Sequence, residues 1–477
     1  MTHLTHNKTI GTFKIAAASV VLASFSWSLP ATAADDAMTE LLGTLRQRGT
    51  ISEAEYQRMK PQAEKQAAAA SSALSKDALK KDWFGKMSIR GYAQTRYTHV
   101  LGSTMDGTNP LNVPADPSVA ERDTFLLRRA RMIFSGDVHD HLYIYAQIDY
   151  QGSVYDSYGE KASSGLQTRD FYGDVSLDSD KEHRIRTGIS KVPYGFVNMQ
   201  SSQNRLSVER PEALNSAVEG ERDLGVYYMW ADKVARERFK DLVKLGLKGS
   251  GDYGVFTVGA YNGQGLNKYD GNRSPHTVVH LAYPFQLDGG QYFELGMSAY
   301  QGKFVVDSKA PANTQPITTN KNQKEYTDRR VAANFVWYPK PFGLEAEWTY
   351  GEGPETIVKY DSFGKGTLST QGITTENLHG GYVLVNYKAD TDYGPVIPFS
   401  RWNYFDGARK FAANAPSFGV NEFDFGIEYQ PWPSFEVTLV YTHAQYRTNT
   451  SIKDTGAGVY NLAKNADRLT LQLQYNF

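Results

Sequence analysis

The stretch Leu469-Thr470-Leu471-Gln472-Leu473-Gln474-Tyr475-Asn476-Phe477 alternates without exception between apolar and polar side chains. In an extended strand successive side chains point to opposite faces, so this stretch has one wholly apolar face and one wholly polar face. The same period of two recurs upstream. Phe423, Phe425, Ile427 and Tyr429 alternate with Glu422, Asp424, Gly426 and Glu428, and Phe435, Val437, Leu439 and Tyr441 repeat the pattern. So do Leu142, Ile144, Ala146 and Ile148, and Leu344, Ala346, Trp348 and Tyr350. Alternation suits a soluble sandwich, whose apolar face is a core, or a membrane barrel, whose apolar face meets lipid and whose polar face lines a wet lumen.

Connection lengths separate the two. Short turns at Gly136–His141, Gln286–Gly290, Tyr338–Gly343 and Gln430–Ser434 alternate with long polar stretches. Those stretches are 102–120, 153–167, 192–222, 262–275, 305–326, 352–377, 405–420 and 447–466. Short turns on one rim and long loops on the other mark a transmembrane barrel; a compact soluble domain seldom carries so many long loops. Eight long loops give an all-β fold: a 16-stranded antiparallel transmembrane β-barrel over residues 86–477, with both ends on the short-turn rim. Closure satisfies every backbone polar group inside lipid. A barrel this wide is not filled by its own side chains and leaves an aqueous channel. Trp337, Tyr338, Trp402, Tyr404, Trp432 and Phe435 stand near strand ends, where an aromatic interface girdle belongs. Asp232 to Asp241 is densely charged, stands where a short turn is expected, and fits neither class of connection.

Composition agrees. The 477 residues include 31 Tyr, 23 Phe and 42 Gly, a bias toward strands and turns. Lys+Arg number 51 against 52 Asp+Glu, so no basic field exists to attract nucleic acid. There is no cysteine, which excludes disulfides, thiolate nucleophiles and cysteine-bound metal clusters. At the N-terminus, Lys8 and Lys14 precede the apolar run Ile15 to Phe25, and Ala31-Thr32-Ala33 offers a small-x-small cleavage site before Asp35. Residues 1–33 therefore read as a secretory signal peptide. Its removal takes two of the 51 basic residues and no acid, leaving 49 against 52, a net charge of -3. Residues 35–85 differ again. Met38, Leu41, Leu42 and Leu45 have helical spacing up to Gly49, and Ser52-x-x-Glu55 is a capping box opening a second helix. One narrow apolar stripe per helix predicts a short coiled coil between copies, or else a partly ordered linker.

Four stretches resemble the phosphate-selective porins O and P of Gram-negative outer membranes. They are the helical segment 38–60 with Arg48-Gly49-Thr50-Ile51-Ser52; Leu127-Arg128-Arg129-Ala130-Arg131; Lys191-Val192-Pro193-Tyr194-Gly195 with Glu209-Arg210-Pro211 and Arg222-Asp223-Leu224-Gly225; and Tyr429-Gln430-Pro431-Trp432. The terminal Tyr475-x-Phe477 is similar to the assembly signal of outer-membrane barrels generally. The resemblance implies a homotrimer in the outer membrane, a periplasmic N-terminal segment, and a third loop (near 192–222) folded inward as a constriction. It also implies passive uptake of small anions, phosphate or polyphosphate among them. No motif in the chain calls for a cofactor.

Turning the apolar parity outward assigns the lumenal charges. Arg90 and Arg96 on the first strand, Arg129 and Arg131 on the second, and Arg184 and Arg186 on the fifth point inward, as do Arg330 and Arg468. Arg128 has lipid parity and requires a rim position, a bulge or another register. Tyr143 and Tyr145 face the lumen, where they can narrow the pore or donate hydroxyls. The third loop adds Lys191, Arg205, Arg210 and Arg222, with Glu209, Glu212, Glu219 and Glu221 as counter-charges. A guanidinium is a permanently charged planar fork suited to phosphate oxygens. The plainer alternative for each is a salt bridge that fixes the loop to the wall. The same parity puts Asp149, Asp170, Asp174, Glu294, Glu345, Glu347, Asp424, Glu428 and Glu436 inside, so a basic wall faces an acidic one. That leaves a second reading, a general porin for small polar solutes with weak ion choice.

Catalytic motifs are missing. There is no G-x-S-x-G, and Gly364-Lys365-Gly366-Thr367 lacks the upstream glycine of a phosphate-binding loop. His139-Asp140-His141 suggests a metal pair only on paper; a solvated turn is the simpler reading. The chain reads as a channel and not as an enzyme.

Overall fold

The computed structural model describes residues 43–44, 46–48, 52–61, 65, 83–104, 124–151, 165–307, 325–357, 372–412, 414–447 and 465–477. The expected signal peptide, the alanine-rich 67–73 tract and most of the loops near 102–120, 153–167, 305–326, 352–377 and 447–466 lie outside them. Two compact units are present, Met1–Met87 and Ser88–Phe477. In the first, the capping box is formed: the Ser52 amide donates to Glu55 Oε2 at 2.8 Å and the Glu55 amide to Ser52 Oγ at 3.3 Å. Each terminal side chain thereby satisfies a backbone donor that helix geometry leaves unpaired.

The second unit is a closed antiparallel barrel. Its strands are β1 (Met87–Thr104), β2 (Thr124–His139), β3 (Leu142–Gln151) and β4 (Gly165–Ser176), then β5 (His183–Lys191), β6 (Arg222–Trp230), β7 (Phe256–Tyr261) and β8 (His276–Gln286). There follow β9 (Tyr292–Val305), β10 (Glu325–Trp337), β11 (Phe342–Ile357) and β12 (Gly372–Tyr387), and finally β13 (Val396–Ala408), β14 (Ser417–Trp432), β15 (Phe435–Arg447) and β16 (Asn465–Asn476). Each pairs with its sequence neighbours, and β1 closes on β16 with Tyr97 opposite Leu471. Gly91 and Phe477 exchange both backbone hydrogen bonds at this seam, at 2.7 and 3.0 Å. A Cβ at Gly91 would stand 2.3 Å from the Arg131 carbonyl oxygen and 2.6 Å from the Phe477 ring, so only glycine fits.

Alternation sets the faces. On β16, Leu469 and Tyr475 are exposed while Arg468, Thr470, Gln472 and Gln474 are buried. Phe125, Leu166, Leu224, Phe425 and Ile427 are likewise exposed on the outer surface, where acyl chains cover them in a membrane. Leu471→Arg on this face is expected to cost about 2–4 kcal/mol near the bilayer midplane. Folding into lipid vesicles, read by heat-modifiable electrophoretic migration, should fall sharply; unaltered folding would mean that Leu471 does not face lipid.

Three sequence expectations change. β13 and β14 run through the polar stretch 405–420, with Phe405 opposite Val420 and Ala408 opposite Ser417, because ladder pairing continues past the point where the side chains stop being lipid-compatible. Tyr338 does not join the outer girdle: it is buried and its hydroxyl donates to Glu294 at 2.8 Å. Trp432 is on the outside as expected, with Phe435 beside it at 6.0 Å between ring centroids. The third change is the charged stretch after Asp232, which is no turn. It forms α1 (Lys233–Lys244), whose first turn is capped by the Asp232 side chain accepting from the Ala235 amide.

Candidate functional site

The β5–β6 connection, residues 192–221, folds into the barrel and crosses it. Val192, Tyr194, Leu206, Val208 and Leu214 pack against inward residues of later strands, among them Tyr300, Leu378, Tyr382, Phe399 and Phe405. This apolar burial holds the loop in place. It also corrects the expectation of a wholly wet inner face, since parts of β8–β14 are apolar on both sides. Polar anchors fix the tip. The amides of Phe196 and Val197 donate to the two Glu347 oxygens at 2.7 and 3.1 Å, and the Tyr194 and Thr349 hydroxyls stand 2.5 Å apart. Gly195 has φ 75°, and a Cβ there would meet Glu347 Oε1 at 2.5 Å. Arg330 reaches back to Ser216 Oγ at 2.8 Å.

The opposite side of the loop is tied by charge. Glu209 receives Arg96 at 2.8 Å, Arg128 at 2.8 Å and Arg129 at 3.3 Å. Arg128 and Arg129 reach the same carboxylate although they are neighbours, so alternation breaks locally and Arg128 turns into the lumen. Glu221 takes Lys191 at 3.3 Å, Arg210 at 3.0 Å, Arg222 at 2.6 Å, and Arg205. Burial by itself raises both carboxyls. The surrounding guanidiniums overcome it and hold Glu209 and Glu221 well below the usual carboxylate range. Arg131 binds Asp149 at 3.0 Å, Arg184 binds Asp252 at 2.7 Å, and Arg222 also reaches Asp170 at 2.9 Å. Arg186 meets Asp174 through two parallel bonds of 2.7 and 2.8 Å. Of the expected pore cations on strands, Arg90 has no acidic partner among the described residues; it stands 5.9 Å from the Tyr145 ring.

Fixing the loop to the wall is thus what most of these arginines do geometrically. Among the described residues their charge is nonetheless not balanced one for one. Among those residues, and leaving Arg96 aside, Arg128, Arg129, Arg131, Arg169, Lys191, Arg205, Arg210 and Arg222 stand against Asp149, Asp170, Glu209 and Glu221, eight positive charges against four. On the far wall the balance reverses. Glu294, Glu345 and Glu347 are buried and have no ion-pair partner among the described residues; Tyr338, Tyr382 and backbone amides serve them instead.

α1 lies inside the short-turn mouth. Ala235, Phe239 and Leu242 pack on inward Ala282 and Val336, on Tyr292 and Tyr338, and on Phe196 of the inward loop. Beyond the helix, Lys248 binds Glu428 at 2.6 Å and Glu436 at 3.4 Å, and its carbonyl accepts from Gln200. On the near side Asp252 joins Arg184 and Arg236. The connection therefore spans the mouth from β5 to β15. It is a strut, braced by apolar contact at its middle and ion pairs at both ends.

The family described as phosphate-selective porin O and P matches residues 112–477. The chain belongs to that family. As a phosphate-selective porin O and P member it is an outer-membrane diffusion porin, a passive channel. No curated protein matches the chain. Similar solved structures include Vibrio cholerae OmpT in its trimer form, at 12% identity and TM-score 0.47, covering 82% of this chain and 99% of that one. Others are Salmonella typhi OmpF with daunomycin (14%, 0.46; 82% and 97%) and Pseudomonas putida OprB (10%, 0.48; 85% and 96%).

Within this porin, sequence parity placed Arg96, Arg129, Arg131, Arg184, Arg186, Arg330 and Arg468 on the inner face, where the structure has them with lumenal partners. Tyr143 and Tyr145 line a cavity beside the loop. Parity missed Arg169, Arg401 and Lys410. Arg169 is the extra residue of a bulge, between the pairs Gln147–Asp170 and Ile148–Thr168, which puts it and Asp170 in the lumen together. Arg401 pairs with Glu422 and Asp424, and it alternates with Trp402 and Tyr404, a signal that was available. Lys410 binds buried Asp328 from the β13–β14 connection, which no strand pattern reveals. His139 and His141 share a turn with ring centroids 6.1 Å apart, and the described residues hold no cluster of three metal-binding side chains.

Proposed function

We propose that this porin passes small anions, phosphate among them, in preference to cations, and that it works as a homotrimer delivered through a cleaved signal peptide at residues 1–33. The observation that supports anion preference is the excess, among the described residues, of eight positive over four negative charges where the inward loop meets β2–β6. Inside a narrow constriction with low-dielectric walls, an excess of positive charge raises local anion concentration and opposes cations. Pairing to carboxylates keeps each guanidinium from binding a passing ion too tightly, so solutes meet weak successive sites and leave again. The second reading, a general porin with opposed walls, draws on Glu294, Glu345 and Glu347 opposite that field.

Reversal potentials of the purified porin in planar bilayers under a KCl gradient decide between them. The expected sign is that of chloride preference. Arg129→Gln should move the potential toward zero, because Arg96 and Arg128 still neutralise Glu209 while one lumenal charge is lost. Charge changes within 448–464 should move it much less. A cation-selective reversal potential would remove the anion reading and leave the weakly selective one.

A further inference from the structure

Between the wall of β1–β5, the inward loop and the strut lies a cavity of about 450 Å³. Its size falls in the roughly 300–1,000 Å³ range of sites for organic small molecules. Four tyrosines line it: Tyr143, Tyr145, Tyr172 and Tyr253. None of the four hydroxyls has a hydrogen-bond partner among the described residues, although Tyr145 and Tyr172 stack at 5.1 Å between ring centroids. The ring faces are largely taken, since Arg186 lies 3.9 Å over Tyr172 and 5.4 Å from the Tyr253 ring. What the phenols offer the cavity is therefore hydroxyl groups, each able to donate and to accept.

The charges there are also unspent. Arg90, Lys240 and Lys244 line the cavity and have no acidic partner among the described residues. Its two carboxylates, Asp170 and Asp252, are already held by Arg222 and by Arg184 with Arg236. A solute that satisfies this lining carries one acidic group for the lysine and arginine side and several hydroxyls for the phenols. Inorganic phosphate meets the charge, but its few oxygens around one atom cannot reach phenols spread over the cavity wall, and a neutral sugar meets the phenols but not the charge.

We propose that this chamber is a binding site for sugar acids, that is, ring-sized polyhydroxylated monocarboxylates, which pause there on the way through the pore. The proposal rests on the anion-conducting reading above and names a solute class for it. The test is block of single-channel chloride current in the intact porin by glucuronate, with glucose, benzoate and inorganic phosphate as comparison probes. Glucuronate is expected to block at concentrations about tenfold or more below those of the three others, since glucose lacks the charge, benzoate the hydroxyls, and phosphate the span to reach several phenols at once. Tyr172→Phe with Tyr253→Phe keeps both rings and should weaken that block about tenfold. Lys240→Gln, on the strut and outside every strand, should weaken it as well, and serves if the tyrosine variant does not assemble. Block by benzoate or phosphate as strong as by glucuronate, or glucuronate block indifferent to Lys240→Gln, would overturn the assignment. The KCl reversal potential, measured without any of these solutes, reads the anion preference separately; loss of that preference with selective glucuronate block intact defeats only the earlier reading.

Discussion

Glu221→Gln should lower the stability of the folded barrel by about 3–5 kcal/mol, the usual consequence of removing one partner from a buried ion pair. Four cations, Lys191, Arg205, Arg210 and Arg222, converge on this one carboxylate, and its side chain is 4% exposed. With a neutral amide in its place they repel one another in a low-dielectric site, and the loop end that Glu221 joins to β6 loses its anchor. The amide has nearly the carboxylate's shape, so the left-handed backbone at φ 71° is unaffected by the change. Denaturation in detergent should show the loss, and single-channel current should become noisier as the loop end moves. The same contribution has a pH signature. Because the folded carboxyl titrates well below its ordinary value, the stabilisation is complete above the ordinary carboxylate range and disappears as pH falls toward the folded value. Acidification should therefore bring the wild-type protein toward the variant. A Glu221→Gln protein as stable and as quiet as the wild type would show that the four cations find other partners.

Excision of α1 is expected to act on transport more than on stability. Replacing 233–250 with a short Gly–Ser turn between β6 and β7 removes the strut and leaves the strand ladder intact. Single-channel conductance should rise toward that of an unobstructed sixteen-strand barrel. Glu428 and Glu436 would also lose Lys248, so cation passage through the mouth should grow and the anion preference should shrink. Unchanged conductance would place the permeation path away from the strut.

Lumenal residues differ in how readable they were. Arg129, Arg131 and Arg186 could be assigned to the lumen because a strand has only two faces, and an arginine in lipid costs too much to be tolerated there. Arg169 escaped because a single inserted residue in β4 resets parity, and the bulge has no mark in the local sequence. Tyr338 belongs to the girdle by its place next to Trp337, yet a buried Glu294 on the neighbouring strand claims its hydroxyl. The stretch after Asp232 carried a good helix cap and an amphipathic pattern. Its destination was hidden because the surface it covers is assembled from β8, β9, β10 and the inward loop.

Sequence by itself determined the barrel, its sixteen strands and its outward face. All of these follow from a period of two and from loop lengths, which are properties of consecutive residues. Only the tertiary structure decided which lumenal charges are spent and which are free. Glu209 and Glu221 collect cations from strands and loop positions far apart in the chain, and Lys248 reaches Glu428 across the mouth. Electrostatic energy depends on distance in space, and a closed barrel brings together charges that the linear order keeps apart.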